Sequence, residues 1–200
     1  YFDVVTYTGT GSTRTVTHNL DAVPEMMWVK NRTSAYSWSV YHSGIGATKY
    51  ITMNSSVAST TNADAWIDTA ATSSVFTVKV YCLLNLSGDT HIAYLFASVD
   101  GISKVGSYTG NSSTQTIDCG FTNGARFVLI KSHNDGGEWQ VFDTTRGIVA
   151  GDDQRLLLNR TDAESSDDYL DPHSSGFSLP NHAFTNSNAQ GQQYIFYAIA

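Results

Sequence analysis

Polar and apolar side chains alternate one for one along most of this chain, and the alternation is broken at short intervals by Gly, Asn, Asp and Ser. A two-residue period is the mark of strands with one buried face. In the first half it predicts strands in FDVVTY (2–7), STRTVTH (12–18), EMMWVKN (25–31), YSWSVYH (36–42), KYITMN (49–54), VFTVKVYC (75–82) and HIAYLFASV (91–99). EMMWVKN and its counterpart RFVLIKS (126–132) are apolar on both faces, which predicts strands in the middle of a sheet. Two stretches interrupt the pattern, ADAWIDTA (63–70) and TDAESSDDYLD (161–171), and each has room for a single helical turn.

The same pattern is written twice. VVTYTGTGSTRTVTHNL, from Val4, returns as VGSYTGNSSTQTIDCGF, from Val105. Tyr7 matches Tyr108, Lys30 matches Lys131, Trp38 matches Trp139 and Phe76 matches Phe177, each pair 101 residues apart. Between these anchors Gly44 answers Gly147 and Asn54 answers Asn159, and near the end Ile92 and Tyr94 answer Ile195 and Tyr197. The offset drifts where loops belong and holds across strands, as two copies of one fold require. Short strands rich in Val, Thr, Tyr and Trp predict an all-β chain of two tandem homologous antiparallel β-sandwich (jelly-roll-like) domains, 1–100 and 101–200. The junction has no Ser/Gly-rich linker. Asp100-Gly101 is a tight-turn signal instead, so the last strand of copy one is expected to turn straight into the first of copy two, with the copies abutted.

Composition narrows the partners. The net charge is −7 and the eleven Lys and Arg residues are scattered singly, which argues against nucleic acid, whose affinity rests on clustered cations. No run approaches the roughly 18–20 consecutive apolar residues of a membrane span, so no membrane insertion is expected. Only 14% of residues are charged, and the polarity comes from Ser, Thr, Asn and Gly, which suits an extracellular β-protein. The chain opens on Tyr1 without Met and closes on the strand-like YIFYAIA, which reads as a piece of a longer polypeptide. Cys82 and Cys119 both read as small buried hydrophobes in preference to a disulfide.

Candidate chemistry is sparse. Trp66 beside Asp64 and Asp68, and Tyr169 beside Asp167 and Asp171, have the residue types of a carbohydrate site: a ring to stack on a sugar face, and acids to accept its hydroxyls. The competing reading is an aromatic loop anchor with solvated acids around it, and the recurrence in both copies favours the anchor. Trp38 and Trp139 read as core. The acidic stretch 152–171 lacks the DxDxDG spacing of a Ca²⁺ loop and reads as a solvated loop, so no metal and no other cofactor is assigned. His42, Asp143 and Arg146 at equivalent strand ends read as loop-fixing hydrogen bonders, and the remaining histidines (His18, His91, His133, His173, His182) lack zinc-ligand spacing. GxSxG, HExxH, GxxxxGK and GxGxxG are all missing, so no catalytic residue is assigned. Five Asn-x-Ser/Thr triplets begin at Asn31, Asn54, Asn85, Asn111 and Asn159, a number that chance explains in so Ser/Thr/Asn-rich a chain.

Taken together, YTGN, ARFVLIK, EWQVFDTTRG, YHSGIGATKY and HIAYLFASVDGISKVGSYTG resemble a tandem β-domain of tail-fibre and tail-fibre-like virion proteins of tailed phages, often marine ones. The resemblance covers nearly the whole chain in both copies. It implies a non-enzymatic protein on the outside of a virion, extracellular, with host-surface glycan recognition as its work. By analogy with fibres it also implies a homo-oligomer, a trimer first, and other virion subunits as neighbours. The alternatives are a purely structural capsid decoration or fibre-shaft protein, and a glycan-degrading enzyme of the tailspike type.

Overall fold

Each half of the computed structural model is a broad six-stranded sheet with a narrow one laid against its inner face; residues 1–66, 68–79, 82–181 and 187–200 are described, the Cys82 side chain apart. The chain divides into two units, Tyr1–Asn54 with Ser59–Ala97, and Ser98–Ala200 with Ser55–Ala58.

Unit one contains β1 (Phe2–Thr8), β2 (Arg14–Thr17), β3 (Met26–Asn31), β4 (Ser39–His42), β5 (Lys49–Thr52), β6 (Thr60–Thr61), α1 (Ala63–Trp66), β7 (Val75–Val78), α2 (Cys82–Asn85) and β8 (Thr90–Phe96). Its broad sheet runs β1-β8-β3-β4-β5-β6 and its narrow one is β2-β7, all antiparallel. Val16, Phe76 and Val78 from the narrow sheet meet Met27, Val29, Ala93 and Leu95 from the broad one in a single core. β3, the strand apolar on both faces, pairs with β8 on one side and β4 on the other.

Unit two repeats the plan with β9 (Ser103–Thr109), β10 (Gln115–Asp118), β11 (Phe127–Ser132), β12 (Gln140–Asp143), β13 (Asp153–Leu157), β14 (Ser165–Asp167), β15 (Asp171–His173), β16 (Gly176–Leu179) and β17 (Gln193–Ile199). The broad sheet, read from its other edge, is β9-β17-β11-β12-β13-β14, the same order as in unit one, and the narrow sheet is β10-β16 with β15 added. Ile117, Phe177 and Leu179 close on Val128, Ile130, Phe142 and Phe196. The chain is therefore all-β, and its halves are two similar antiparallel sandwiches.

Local expectations fail in three places. VFTVKVYC is not one strand: β7 stops at Val78, and α2 begins at Cys82. TDAESSDDYLD holds no helical turn, because the Ser165–Asp167 backbone pairs as β14 against β13, whereas ADAWIDTA does form α1. The Asp100-Gly101 turn forms, with Gly101 at φ +72, but only Val99 and Ser103 bridge across it; β8 and β9 belong to different sheets. Cys119 is a free thiol, not half of a disulfide, and burial pushes it up to about 12. His182 and the Cys82 side chain lie outside the described residues.

The repeated Tyr-Thr-Gly phrase is a structural lock. Tyr7 stacks on His91 at 5.0 Å and donates its hydroxyl to Leu84 O at 2.6 Å; Tyr108 stacks on Tyr194 at 5.0 Å and donates to Ser187 O at 2.6 Å. Burial raises both phenols, which keeps them protonated as donors. Behind each Tyr a buried asparagine staples the following turn. Asn85 Oδ1 accepts from Thr10 N (3.0 Å) while its amide donates to Ser12 O (2.5 Å), and Asn188 does the same with Asn111 N (3.0 Å) and Ser113 O (2.8 Å).

Candidate functional site

The two predicted aromatic sites are not on the surface. Trp66 is 1% exposed, delivered by α1 into the unit-one core with its ring edge-on to Tyr41 at 5.7 Å. A ring enclosed in this way has no face left for a sugar. Of its acidic neighbours, Asp64 pairs with Lys79 and Asp68 is exposed at φ +46, so neither is held against the ring. Tyr169 is 6% exposed in the unit-two core, its hydroxyl 3.1 Å from Ser165 Oγ and its ring covered by the Arg155 guanidinium at 4.0 Å. Asp167 Oδ1 accepts the Asp168 amide (2.9 Å), and Asp171 Oδ1 accepts the Gly151 amide (3.3 Å). Both rings are anchors, and the carboxylates beside Tyr169 fix the local backbone. Trp139 is likewise core, whereas Trp38 is only half-buried, tilted against Tyr94 at 6.0 Å.

The acidic stretch turns inward at one point. Asp153 is fully buried; its Oδ1 accepts from Val149 N (3.0 Å) and its Oδ2 from Leu170 N (2.7 Å), tying the loop before β13 to the segment that carries Tyr169. Among the described residues no three His, Cys, Asp or Glu side chains converge as a metal site would require. Burial raises the Asp153 carboxyl to about 6, against the pull of its backbone amide donors and with a smaller push from Asp171. The fold thus holds the proton more tightly than the unfolded chain. The ionised group's cost is absent below pH 3.8, grows between pH 4 and 6, and is complete above 6. Wild type should accordingly gain about 2–3 kcal/mol relative to Asp153→Asn as pH falls from 7 to 4, read from urea unfolding at each pH.

His42 and Asp143, matched in sequence, do the same work with different chemistry. His42 Nδ1 accepts from Gly44 N at 3.0 Å, and Asp143 Oδ1 accepts from Thr145 N and Arg146 N, each at 3.0 Å. Arg146 also pairs with Asp143 Oδ2. The glycosylation-type triplets are framework too. Asn31 and Asn85 are buried and bonded at both ends of the amide, and Asn54 and Asn159 accept the Trp38 and Trp139 amides at 3.0 and 2.9 Å.

Unbound polar groups gather elsewhere, in a cleft of about 210 Å³ at one end of unit two. β15, which has no counterpart in unit one, forms one wall with Pro172 and His173; it is an edge strand, where a residue without an N–H is tolerated. The loop before β11 lies against it because Gly124 sits at φ +80 and a Cβ there would come within 2.8 Å of His173 O. The Gly124 amide donates to Ser174 O at 2.8 Å. Ile148 and Ala125 supply an apolar floor. Asn123, Thr144 and Ser174 stand exposed on the rim, and their side chains make no hydrogen bond to another described residue. The Ser175 amide donates to His173 Nδ1 (3.3 Å), leaving the ring proton on Nε2 as a further free donor. Sequence reasoning passed over this cleft because its residues are individually commonplace and lie far apart along the chain.

The fold and its cleft can be set beside known families. The chain belongs to the domain of unknown function DUF7483, which matches residues 1–200. DUF7483 therefore describes the duplicated pair and not a single sandwich. No curated protein and no solved structure matches.

Proposed function

We propose that this DUF7483 chain is a non-enzymatic part of the outer surface of a phage virion, in a tail fibre or similar appendage, and that it recognises a bacterial surface glycan. The observation that carries the reading is the unit-two cleft. Its volume lies below the roughly 300 Å³ at which drug-sized pockets begin, which suits a single sugar ring. An apolar floor with hydroxyl, amide and imidazole groups around it matches a ring that has C–H faces and hydroxyl edges. Its lining carries one ionisable side chain, His173, whereas glycoside hydrolysis works with two carboxyl groups about 5–10 Å apart across the bond. Resemblance to tandem virion domains supplies the location and the expectation of a trimer among other virion subunits. Weak binding at one cleft is multiplied by the copies on a particle.

The test is an array of bacterial surface glycans probed with wild type and with Asn123→Ala/Thr144→Val/Ser174→Ala. These side chains are exposed and unbonded, so melting should be unchanged. Wild type is expected to retain a defined glycan and the triple variant to lose about tenfold or more in affinity, three hydrogen bonds at about 0.5–1.5 kcal/mol each. Equal retention of both proteins refutes the cleft. No retention of wild type, in a particle that assembles normally, points instead to a shaft or decoration role, and release of reducing sugar points to an enzyme.

A further inference from the structure

The outer face of the unit-one broad sheet carries a second polar site, of different charge. β1, β8 and β3 lie side by side, and their register sets Thr8 opposite Thr90, with Arg32 next in the same row, its amide donating to Thr90 O at 2.8 Å. Two residues along, Thr6, Ile92 and Lys30 form the next row on that face, because side chains two apart in a strand point the same way. An open groove of about 280 Å³ lies over Thr6, Thr8, Thr90 and Arg32.

Arg32 and Arg126 are the exposed arginines whose guanidinium groups are uncommitted among the described residues, and of the two only Arg32 lines this groove. Arg146 and Arg160 pair with carboxylates, Arg155 covers Tyr169, and Arg14 donates to Thr8 O while lying 5.8 Å from the Tyr7 ring centre. The Arg32 guanidinium is exposed and makes no hydrogen bond or ion pair with any described residue. Lys30 in the neighbouring row is committed to Tyr36 O. The acid next in sequence to Thr90, Asp89, is also committed: its Oδ2 accepts from Asn31 Nδ2 and Ser34 Oγ, both at 2.8 Å, and these bonds hold its carboxyl below the usual range. The matching positions of copy two are His133, Gln193 and Ser107, so the corresponding place in copy two has no guanidinium.

We propose that this groove binds a sugar bearing a carboxylate, with the carboxylate on the Arg32 fork and ring hydroxyls on Thr6, Thr8 and Thr90. The proposal deepens the glycan-recognition reading and rests on it for its biological role, but on its own residues for its chemistry. A single uncommitted guanidinium matches a monoanion in charge, and its paired N–H groups match the two carboxylate oxygens. Threonine hydroxyls donate and accept, as sugar hydroxyls do. In a chain of net charge −7 an anionic sugar needs a local cation to offset the general repulsion, and Arg32 supplies one in this groove.

The experiment titrates methyl β-D-glucuronide, methyl β-D-glucoside and inorganic phosphate into ¹⁵N-labelled protein. The expected result is movement of the Thr6, Thr8, Arg32 and Thr90 amides with the glucuronide, saturating at a concentration about tenfold or more below that for the glucoside. Arg32→Ala should abolish that preference without changing the melting temperature, and Arg32→Lys should restore part of it. Equal response to glucuronide and glucoside, an unchanged response in Arg32→Ala, or equal competition by phosphate overturns the proposal. The two readings fail separately. Glucuronide binding at Arg32 with no glycan retained on the array leaves this groove standing and removes the host-recognition role. Array retention that depends on Asn123, Thr144 and Ser174, with silent Arg32 amides, does the reverse.

Discussion

Trp66→Ala is expected to lower the unfolding free energy of unit one by about 4 kcal/mol, the range for emptying a fully enclosed aromatic site. The indole lies in the core with Val78, Ala65 and Tyr50, and its removal strips the edge contact with Tyr41. Its position is purchased at some cost, since the indole Nε1 is buried without an acceptor. Trp66→Phe, which keeps most of the ring and deletes that stranded N–H, should therefore cost less than half as much as the alanine change. Equilibrium urea unfolding of the three proteins reads both numbers. A Trp66→Ala protein that unfolds like wild type, or loses glycan retention while remaining as stable, would show that the ring works at the surface. Tyr169→Ala should behave similarly in unit two, with the added loss of the Arg155 contact to the ring.

That pair of aromatics shows where sequence reading succeeds and where it stops. Alternation places strands because burial of one face is written into every second residue, and it located β1, β3, β8 and their counterparts closely. It overran at VFTVKVYC, because the backbone leaves the sheet after Val78 while apolar residues continue into α2. Around Trp66 and Tyr169 it had nothing to use. An aromatic flanked by Asp looks alike whether the ring faces water or a core; recurrence in both copies favoured the anchor, and the burial of both rings agrees with it. The unit-two cleft was invisible for a related reason: Asn123, Thr144 and Ser174 come from three loops, brought together by the pairing of β15 with β16. Duplication, by contrast, was fully legible, and the structure gives its physical content. What the two copies share is internal bonding: Tyr to carbonyl, Asn to turn, Asn to Trp amide. Among what they do not share are surface features, with Arg32 in one and β15 in the other.

The strictest element of the shared frame is the glycine of Tyr-Thr-Gly, and its substitution should have the second large effect. Gly110→Ala is expected to cost about 3 kcal/mol, near the top of the range for overpacking. A Cβ there would stand 2.3 Å from Ala189 O, and at Gly9 it would stand 2.1 Å from Leu86 O; both obstacles are backbone atoms and cannot rotate aside. Each glycine is tied in place by its own amide, Gly110 to Gln192 O and Gly9 to Asp89 O, both at 2.8 Å, and each accepts in return from Gly191 N and Gly88 N. Relief would have to open that ring of bonds and pull the Asn188 or Asn85 staple away from the turn it holds. Gly136→Ala is the control, since the nearest atom to its added Cβ is 3.6 Å away and its φ is not left-handed. It should fall within about 0.5 kcal/mol of wild type or slightly above it, because alanine restricts the unfolded chain. If Gly110→Ala and Gly136→Ala unfold at the same urea concentration, close approach is not why the phrase recurs. If Gly110→Ala alone is crippled, the lock is what each copy must keep, which leaves its surface loops free to differ.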